Sequence, residues 1–504
     1  MNLQKWGEKI MIWETDWLAS RARLTPNREA VVELESGGRW TYQQLDGEVS
    51  KAVGFLQERG VGKGDRVALI SPNAVCCLEL LFACGRIGAI FVPLNYRLGV
   101  SELEYILDDC QPKLLFYHPS MQGILQPGIP SHSTEEYLEI RQVTGTFRQV
   151  PVTQEDPFLI IYTGGTTGRP KGVVLSHKNV FWNSINTIVS WGISDRETTV
   201  TYMPMFHTGG LNALSLPILH MGGKVILGHN FDPVQAIRTL DLERCTIVLL
   251  VPTMYHMMIA DPAFEEASFE SVHTFLSGGA PCPHSIYEAF EKRGLSFKEG
   301  YGLTEAGPNN FYIHPSDALK KRGSVGKPMF HSMVKIVNDE GQEAAPHEVG
   351  ELYIQGHHVF EYYYNKPEET REAKQDGWLR TGDLVKRDGE GYHYIVGRKK
   401  DMIITGGENV YPQEVEHLLD QHPSVDEAVV VGIPDAKWGE VVSAAIVLKP
   451  NRTLTKQDVM DYVACHLGKY KVPKNIFFVE ELAKTPIGKI DRKQMVNQLQ
   501  ALCN

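Results

Sequence analysis

The sequence predicts an α/β fold followed by a second, smaller domain at the carboxyl end. Short apolar segments of strand character alternate with amphipathic helical stretches, a pattern typical of βαβ units and a largely parallel sheet. The chain has 504 residues, enough for more than one domain. After Arg380 the sequence becomes denser in glycine and charge, which favours a compact C-terminal domain joined near Lys399–Asp401.

The individual elements are predicted from local patterns in chain order. Strand-like residues 66–71 (RVALIS) and 89–95 (AIFVPLN) flank a helical stretch over 74–88. Further strands are expected at 158–162, 224–228, 246–252 and 273–279. In the C-terminal part we expect a βαβ-like module with helices at 413–422 and 455–467 and strands at 427–434 and 441–449.

The composition of the chain argues against a nucleic-acid-binding protein, a zinc protein and a membrane-spanning protein. The net charge of −11 does not indicate a nucleic-acid partner, which usually requires a basic face. None of the eight cysteines forms a C-x-x-C pair, so a zinc site is not expected, and their apolar surroundings favour reduced, buried thiols. The N-terminus lacks a signal-peptide core, and no apolar run approaches the roughly 20 residues of a membrane span. A cytoplasmic protein without a transmembrane segment is expected.

Residues 162–172, YTGGTTGRPKG, are a candidate phosphate-binding loop. Glycines let backbone amides face an anion, three threonines add hydroxyl donors, and Lys171 adds positive charge. Between the strand FLIIY and the segment GVVLSHKNV, the loop fits a strand–loop–helix cradle; a flexible surface turn is the alternative. The ATPase pattern G-x-x-x-x-G-K-[ST] does not match, because Gly172 follows the lysine.

Eight further motifs follow this loop in order, and together they resemble the adenylate-forming enzymes, the superfamily of acyl-CoA synthetases, luciferases and peptide-synthetase adenylation domains. The resemblance implies a large multi-sheet N-terminal domain, 1–399, and a small mobile α+β C-terminal lid domain, 400–504, with the hinge near Lys400. The motifs are MPMFHTGG (203–210), VPTMY (251–255), LSGGAPCP (276–283), EGYGLTEAGP (299–308), GELYIQG (350–356), WLRTGDL (378–384), GRKKDMIITGGENVYPQEVE (397–416) and KTPIGKIDR (484–492).

The family reaction implied by the resemblance has two halves. A carboxylate attacks the α-phosphate of ATP to give an acyl-adenylate and pyrophosphate, and the thiol of coenzyme A then attacks the acyl carbonyl. Because two anions must meet, Mg²⁺ and cationic side chains have to neutralise charge. The implied cosubstrates and cofactors are ATP, Mg²⁺ and coenzyme A.

The resemblance also implies roles for single residues. Lys489 bridges the carboxylate and the α-phosphate, Thr304 holds an α-phosphate oxygen, and His207 is the gate between the nucleotide and acyl pockets. Tyr301 stacks on adenine opposite residues 278–281, and Asp383 accepts hydrogen bonds from the ribose. The implied ATP-binding set is Thr163, Gly164, Gly165, Thr166, Thr167, Gly168, Lys171, Gly279, Ala280, Pro281, Tyr301, Gly302, Thr304, Asp383, Arg398 and Lys489.

The implied magnesium ligands are Glu305 and Thr167, and the residues implied for the coenzyme A channel are Gly406, Gly407 and Glu408. One position departs from the family pattern, because Gly164 stands where the loop usually has a serine. We expect this loss of a hydroxyl donor to weaken phosphate affinity or loop order without abolishing activity.

The expected function is an AMP-forming acyl-CoA synthetase for a medium- or long-chain fatty acid. Small, apolar or neutral residues near His207 favour an apolar tail; an aryl or alicyclic acid, or succinylbenzoate, is the alternative, since His207 and Asn310 leave room for a polar group. A stand-alone adenylation domain, a luciferase-like oxygenase and a non-catalytic nucleotide sensor are the rivals. Family members often form dimers, so a homodimer is a further expectation, although no interface signature is evident.

Overall fold

The computed structural model describes residues 15–124, 128–141, 148, 150–164, 169–435, 437–485 and 489–503. Its α-helices are α1 Trp17–Leu24, α2 Tyr42–Glu58, α3 Val75–Ile87, α4 Val100–Cys110, α5 Thr134–Ile140, α6 His177–Trp191, α7 Thr208–Leu211, α8 Ser215–Met221, α9 Pro233–Leu242, α10 Pro252–Ala260, α11 Pro262–Glu266, α12 His284–Lys292, α13 Pro315–Ala318, α14 Pro367–Ala373, α15 Pro412–Asp420, α16 Lys456–His466 and α17 Arg492–Cys503. Within these ranges no helix has the length and apolar content needed to cross a membrane.

The strands belong to five sheets. They are β1 Glu29–Glu33, β2 Arg39–Thr41, β3 Arg66–Ile70, β4 Ile90–Leu94, β5 Leu114–Tyr117, β6 Ser131–Ser133, β7 Pro157–Thr163, β8 Lys171–Ser176, β9 Thr198–Thr201, β10 Lys224–Leu227, β11 Ile247–Leu250, β12 Thr274–Ser277, β13 Phe297–Glu299, β14 Phe311–Tyr312, β15 Ser324–Pro328, β16 Met333–Val337, β17 Gly350–Gln355, β18 Tyr362–Tyr363, β19 Lys374–Gln375, β20 Trp378–Arg387, β21 His393–Arg398, β22 Ile403–Thr405, β23 Glu408–Val410, β24 Val425–Asp435, β25 Gly439–Leu448 and β26 Asn475–Phe478.

The predicted βαβ units lie in the first half of the chain. In the order β18-β8-β7-β4-β3-β5-β6, the strands from β7 to β6 run parallel, and α3 connects β3 to its parallel neighbour β4. The strand β3 and the helix α3 are confirmed within one or two residues of their predicted ends. Helix α3 ends at Gly88, whose φ of 69° is the left-handed conformation that favours glycine at a helix terminus.

Two smaller sheets before residue 300 also contain parallel pairs. One has the order β2-β1-β10-β9, and the other joins β11, β12 and β13 in parallel. In the second, Leu250, Ser277 and Glu299 are register partners at the carboxyl ends. Because these strands end level with one another, the segments that follow them leave the sheet at one common edge.

The prediction of a largely parallel sheet is wrong for residues 311–398. Here β14-β15-β21-β20-β17-β16 form an entirely antiparallel sheet, with β19 paired to β20. The neighbouring pairs β16–β17 and β20–β21 are joined directly along the chain, without a helix between them, which suits antiparallel pairing. This sheet carries the motif residues Asp383 and Arg398 as direct register partners.

The C-terminal residues form a module with its own core. The two predicted strands correspond to β24 and β25, which pair directly in antiparallel orientation, and the predicted helices correspond to α15 and α16. The only βαβ unit among the described residues of this module consists of β25, α16 and the parallel strand β26, and β26 was not predicted. Two buried clusters here draw only on residues between 403 and 499, whereas the other three draw only on residues between 17 and 385. Six of the cysteines are buried as predicted, but Cys465 is exposed, contrary to the prediction for all eight.

Candidate active site

Three motif segments meet at the carboxyl edge of the β11–β12–β13 sheet. Residues 251–252 follow β11, Gly278–Pro281 follow β12 and Gly300–Thr304 follow β13. The amide of Gly300 donates to the Ser277 carbonyl at 2.8 Å, which ties the last two segments together. Gly279 has φ +83°, a conformation that L side chains rarely adopt. The edge is therefore lined by backbone and small residues, as the motifs predict.

Asp383 is the centre of a hydrogen-bonded group beside this edge. Its side chain is only 4% exposed. Arg398 Nε lies 2.6 Å from Asp383 Oδ1, and the Tyr301 hydroxyl donates to Oδ2. Burial raises the pKa of the Asp383 carboxyl, while Arg398, the Tyr301 hydrogen bond and Lys489 oppose that rise. These opposing charges favour the ionised, acceptor form of Asp383.

Lys489 reaches this group from the C-terminal module. A Cβ atom built on Gly279 would lie 3.9 Å from Lys489 Cε, so the lysine stem packs against the loop after β12. Burial lowers the pKa of Lys489, Arg398 lowers it further, and Asp383 raises it. No ion pair forms at its ammonium group among the described residues. The structure thus brings Lys489, Gly279, Asp383 and Arg398 together. Gly279 and Lys489 are more than 200 positions apart in the sequence.

His207 lies close enough to Lys489 for the positive charge of the lysine to affect its pKa. Its Nδ1 accepts a hydrogen bond from the Gly209 amide at 3.1 Å and caps the short helix α7. Burial, with a smaller contribution from Lys489, lowers the pKa of His207 to about 4. Because Nδ1 is an acceptor, the neutral ring carries its proton on Nε2. Gly210 allows this turn, since a Cβ there would lie 2.3 Å from the Pro204 carbonyl oxygen.

Glu305 and Thr304 lie on a short 3₁₀ helix, Thr304–Ala306, directly after the Tyr301 segment. The Tyr363 hydroxyl donates to Glu305 Oε1 at 2.9 Å. Lys171, in the candidate phosphate loop, has its Nζ 5.2 Å from the centroid of the Tyr363 ring, so Tyr363 contacts both Lys171 and Glu305. Thr304 is buried, and Gly302 has no room for a side chain, because a Cβ would lie 2.2 Å from Pro308.

The candidate phosphate loop is only partly described. Gly165, Thr166, Thr167 and Gly168 lie outside the described residues, so their predicted contacts stay predictions. The expectation of a strand–loop–helix cradle is wrong. Residue pairs from Pro157↔Ser176 to Thr163↔Lys171 show an antiparallel hairpin, and a helix begins only at His177. The run GVVLS, with its two β-branched valines, favours a strand directly after the loop and extends the sheet.

The other predicted residues lie outside this group. Gly406 and Gly407, with φ of +61° and +87°, form the tip of the hairpin between β22 and β23, and the Glu408 side chain is exposed beside them. Lys400 is exposed on the 3₁₀ helix Lys399–Asp401 that connects β21 to β22. The predicted roles of these four residues in the coenzyme A channel and the hinge remain predictions.

The sequence alone did not point to three residues that hold the site in place. Tyr363 contacts Glu305, and Glu299 accepts a hydrogen bond from the Cys282 amide at 3.2 Å, beneath the loop after β12. Thr381 accepts from the Asp383 amide at 3.1 Å and donates to the Leu352 carbonyl at 2.8 Å. Glu299 and Thr381 lie within two of the motifs given above. Their positions two residues from Tyr301 and Asp383 could have identified them from the sequence.

Comparisons with known proteins show the family of this chain. The model of the family "AMP-binding enzyme" matches residues 18–364, and that of "AMP-binding enzyme C-terminal domain" matches 414–489. Feruloyl-CoA synthase of Amycolatopsis sp is 39% identical over 94% of this chain and 96% of that protein. Indoleacetate–CoA ligase of Aromatoleum aromaticum is 36% identical, covering 97% and 98%. A long-chain-fatty-acid–CoA ligase of Mycobacterium tuberculosis is 33% identical, covering 96% and 98%.

Solved structures are similar along the whole chain. The o-succinylbenzoate CoA synthetase MenE of Bacillus subtilis, in complex with the acyl-adenylate OSB-AMP, has a TM-score of 0.88 at 30% identity and covers 95% of this chain and 98% of its own. ATP-bound MatB of Rhodopseudomonas palustris has a TM-score of 0.90 at 29% identity, covering 97% and 100%. Its apo form, with the same identity and coverage, has 0.78. The chain therefore belongs to the family of AMP-binding enzymes, and within this adenylate-forming superfamily to the AMP-forming acid–thiol ligases.

Proposed function

We propose that the protein activates a hydrophobic monocarboxylic acid with ATP and transfers the acyl group to coenzyme A. The enzyme class, with ATP, Mg²⁺ and coenzyme A as its cosubstrates and cofactor, follows from the family. The observation that carries the residue-level proposal is the position of Lys489, which comes from the C-terminal module and packs against Gly279 beside Asp383 and Arg398. The chemistry requires a mobile positive charge at such a place, because the carboxylate and the α-phosphate repel each other.

Lys489 and Thr304 are proposed to act on the reacting groups. The Lys489 ammonium has no ion-pair partner among the described residues, so two oxyanions can bind it without displacing one. Burial and Arg398 depress its pKa, and bound anions would hold the group in its charged form. The buried Thr304 adjoins Glu305, where its hydroxyl can donate to an α-phosphate oxygen.

Asp383 and Tyr301 are proposed to bind the nucleoside. A carboxylate accepts several hydrogen bonds, so the two ribose hydroxyls can donate to Asp383 while Arg398 holds its orientation. The Tyr301 ring lies on the segment after β13, across the sheet edge from Gly278–Pro281, and adenine is proposed to lie between them. The small residues of the second segment leave space for a flat base.

Glu305 is the residue proposed to hold Mg²⁺. Its carboxylate is a hard oxygen ligand of the kind Mg²⁺ prefers, and the Tyr363 hydroxyl fixes its orientation through Oε1. When bound, the ion supplies positive charge that offsets the phosphates. Thr167, the second proposed ligand, lies outside the described residues.

The second half of the reaction is proposed to need a movement of the C-terminal module. With Lys489 in place, the exposed hairpin tip Gly406–Glu408 lies outside the group around Asp383. A rotation at Lys400, at the boundary between 1–399 and 400–504, would withdraw Lys489 and bring the tip to the acyl-adenylate. The higher TM-score to ATP-bound MatB than to its apo form supports the view that the present arrangement serves adenylation. Dimerisation and a cytoplasmic location stay proposals from the sequence.

An apolar monocarboxylate fits the surroundings of His207 best. The segments 203–217, 251–258, 276–283 and 301–313 contain no lysine or arginine to pair with a second carboxylate. Asn310, expected to leave room for a polar group, is fully buried, and its amide donates to the Gly307 carbonyl at 2.9 Å, with Oδ1 3.2 Å from His358 Nε2. Asn309 is bound in the same way to Thr187 and the Ala213 carbonyl. This arrangement disfavours succinylbenzoate.

Between aryl and fatty acids, we propose an aryl acid. The support is that the relatives of 39% and 36% identity are named for feruloyl-CoA and indoleacetate, while the relative named for long-chain fatty acids is 33% identical. The medium- or long-chain fatty acid expected from the sequence is the second candidate, because the same residues near His207 accept an apolar chain.

A panel of acids tests both levels of the proposal. ATP- and coenzyme A-dependent thioester formation is measured with ferulate, indoleacetate, benzoate, succinylbenzoate and fatty acids from C2 to C18. We expect kcat/KM to be highest for an aryl monocarboxylate. A maximum at C12 to C18 would favour the fatty-acid candidate, and a preference for C2 or a dicarboxylate would contradict the apolar pocket. Thioester formation with none of these acids would contradict the proposed substrate class as a whole.

A further inference from the structure

A cavity lies at the edge of the β11–β12–β13 sheet opposite the candidate active site. It has a volume of about 490 Å³, and its lining includes Ile247, Thr274 and Phe297, the first residues of β11, β12 and β13. The candidate active site follows the carboxyl ends of the same three strands. Because all three strands are parallel, the cavity is separated from that site by the length of the sheet.

Lys298 lines this cavity and is 3% exposed. Its Nζ lies 4.3 Å from the centroid of the Trp191 ring and 4.4 Å from that of Tyr312, two further lining residues. The Lys298 ammonium group forms no ion pair or hydrogen bond with any residue in the described ranges. Burial lowers the pKa of Lys298 to about 7.

The other charged groups of the cavity are already paired. Glu291 accepts a hydrogen bond from Arg322, whose other nitrogen lies near His284. His273 Nε2 lies 3.0 Å from Glu197. His314 Nδ1 lies 2.8 Å from the Ser316 hydroxyl. The Lys298 ammonium is therefore the group in this cavity that lacks a counter-charge.

We propose that this cavity binds a small organic monoanion with an apolar body, whose carboxylate pairs with the Lys298 ammonium. A buried charge without a partner is unfavourable, and an anion at hydrogen-bond distance removes that penalty. Leu295 and Leu319 line the same cavity and offer apolar contact for the body of the ligand. The proposal is independent of the proposed function, because it uses none of the residues at the other edge of the sheet.

Binding of 2-naphthoate to the full-length protein, without ATP or coenzyme A, tests the proposal by calorimetric titration. Lys298→Met removes the charge at similar volume, and Lys292→Met is the matched control on an exposed lysine nearby. Lys489→Ala reports binding at the candidate active site instead. The uncharged 2-naphthamide is titrated into the native protein as a second probe, which does not depend on any variant folding.

We expect Lys298→Met to weaken naphthoate binding by about tenfold or more, the difference that a charge-assisted hydrogen bond makes, and naphthamide to bind about as weakly to the native protein. Lys292→Met is expected to retain the native affinity. In Lys489→Ala the Lys298-dependent binding is expected to persist, because any naphthoate bound at the candidate active site would depend on Lys489 instead. The proposal is overturned if naphthoate and naphthamide bind the native protein equally well. It is also overturned if affinity falls with Lys489→Ala and not with Lys298→Met, because the probe then occupies the active site.

Discussion

Replacing Lys298 by methionine should stabilise the protein in a pH-dependent manner. In the unfolded chain lysine has its ordinary pKa of 10.5, whereas burial lowers that of Lys298 to about 7 in the native structure. Below pH 7 the ammonium is charged in both states, and the native state bears the full penalty of burying it. As pH rises from about 7 to 10.5, the native lysine is neutral while the unfolded one still holds a proton, so stability rises with pH.

The magnitude follows from the difference of about 3.5 between the two pKa values, at about 1.4 kcal/mol for each pH unit. This gives a penalty of about 4 kcal/mol at pH 7 and about 2 kcal/mol at pH 9. The faces of Trp191 and Tyr312 offset the penalty by about 1–2 kcal/mol while the ammonium is charged. Lys298→Met should therefore exceed the native protein in stability by about 2–3 kcal/mol at pH 7, and the excess should decline towards pH 10.

Urea unfolding followed by tryptophan fluorescence measures this difference at several pH values, in buffers without organic anions. Other titrating groups cancel, because both proteins share them, and Lys292→Met controls for loss of a surface lysine. The reasoning would be refuted by a stability difference that stays constant from pH 7 to 10, or by a Lys298→Met protein that is less stable throughout.

Four further substitutions test the candidate active site. Asp383→Asn should reduce kcat/KM for ATP by about a hundredfold, because the Arg398 contact and the ribose hydrogen bonds are charge-assisted, and a loss under threefold in steady-state assays would contradict the role. Gly210→Ala should lower the free energy of unfolding by at least about 2 kcal/mol, because a Cβ would lie 2.3 Å from the Pro204 carbonyl oxygen. Gly164→Ser, whose Cβ would have no atom of the described residues within 4 Å, should fold normally and bind nucleotide more tightly in a titration. Tyr363→Phe removes the donor to Glu305 and should raise the Mg²⁺ concentration for half-maximal activity by about three- to tenfold; an unchanged Mg²⁺ curve would separate Glu305 from the metal.

Local patterns predicted the elements whose pairing is also local. The strand, helix and parallel strand from Arg66 to Leu94 match because the apolar runs and the Gly88 terminus specify them directly. The antiparallel sheet of residues 311–398 was not predicted, because its pairing depends on which strands meet and not on any one segment. The hairpin at the phosphate loop was missed although its pairing is local, because the segment GVVLSHKNV after the loop was interpreted as helical, whereas GVVLS forms strand β8.

The site was predicted residue by residue only through the family resemblance. Lys489 contacts Gly279 because the C-terminal module packs against the rest of the chain. The local sequence KTPIGKIDR does not predict that contact. The hydrogen bond from Tyr363 to Glu305 joins residues 58 positions apart, so it was missed. Lys298 stands next to a quoted motif, but only the structure shows that it is buried without a carboxylate partner.

The most direct measurement of the central claim is carboxylate-dependent exchange of pyrophosphate into ATP by Lys489→Ala. Lys484→Ala is the matched control, because Lys484 is on the same segment and pairs with Glu427 at 2.8 Å, outside the group around Asp383. If Lys489 neutralises the meeting oxyanions, its loss should reduce exchange by about a hundredfold or more, with the control near the native rate. Exchange by Lys489→Ala within threefold of the native rate would contradict the claim that this lysine drives adenylation.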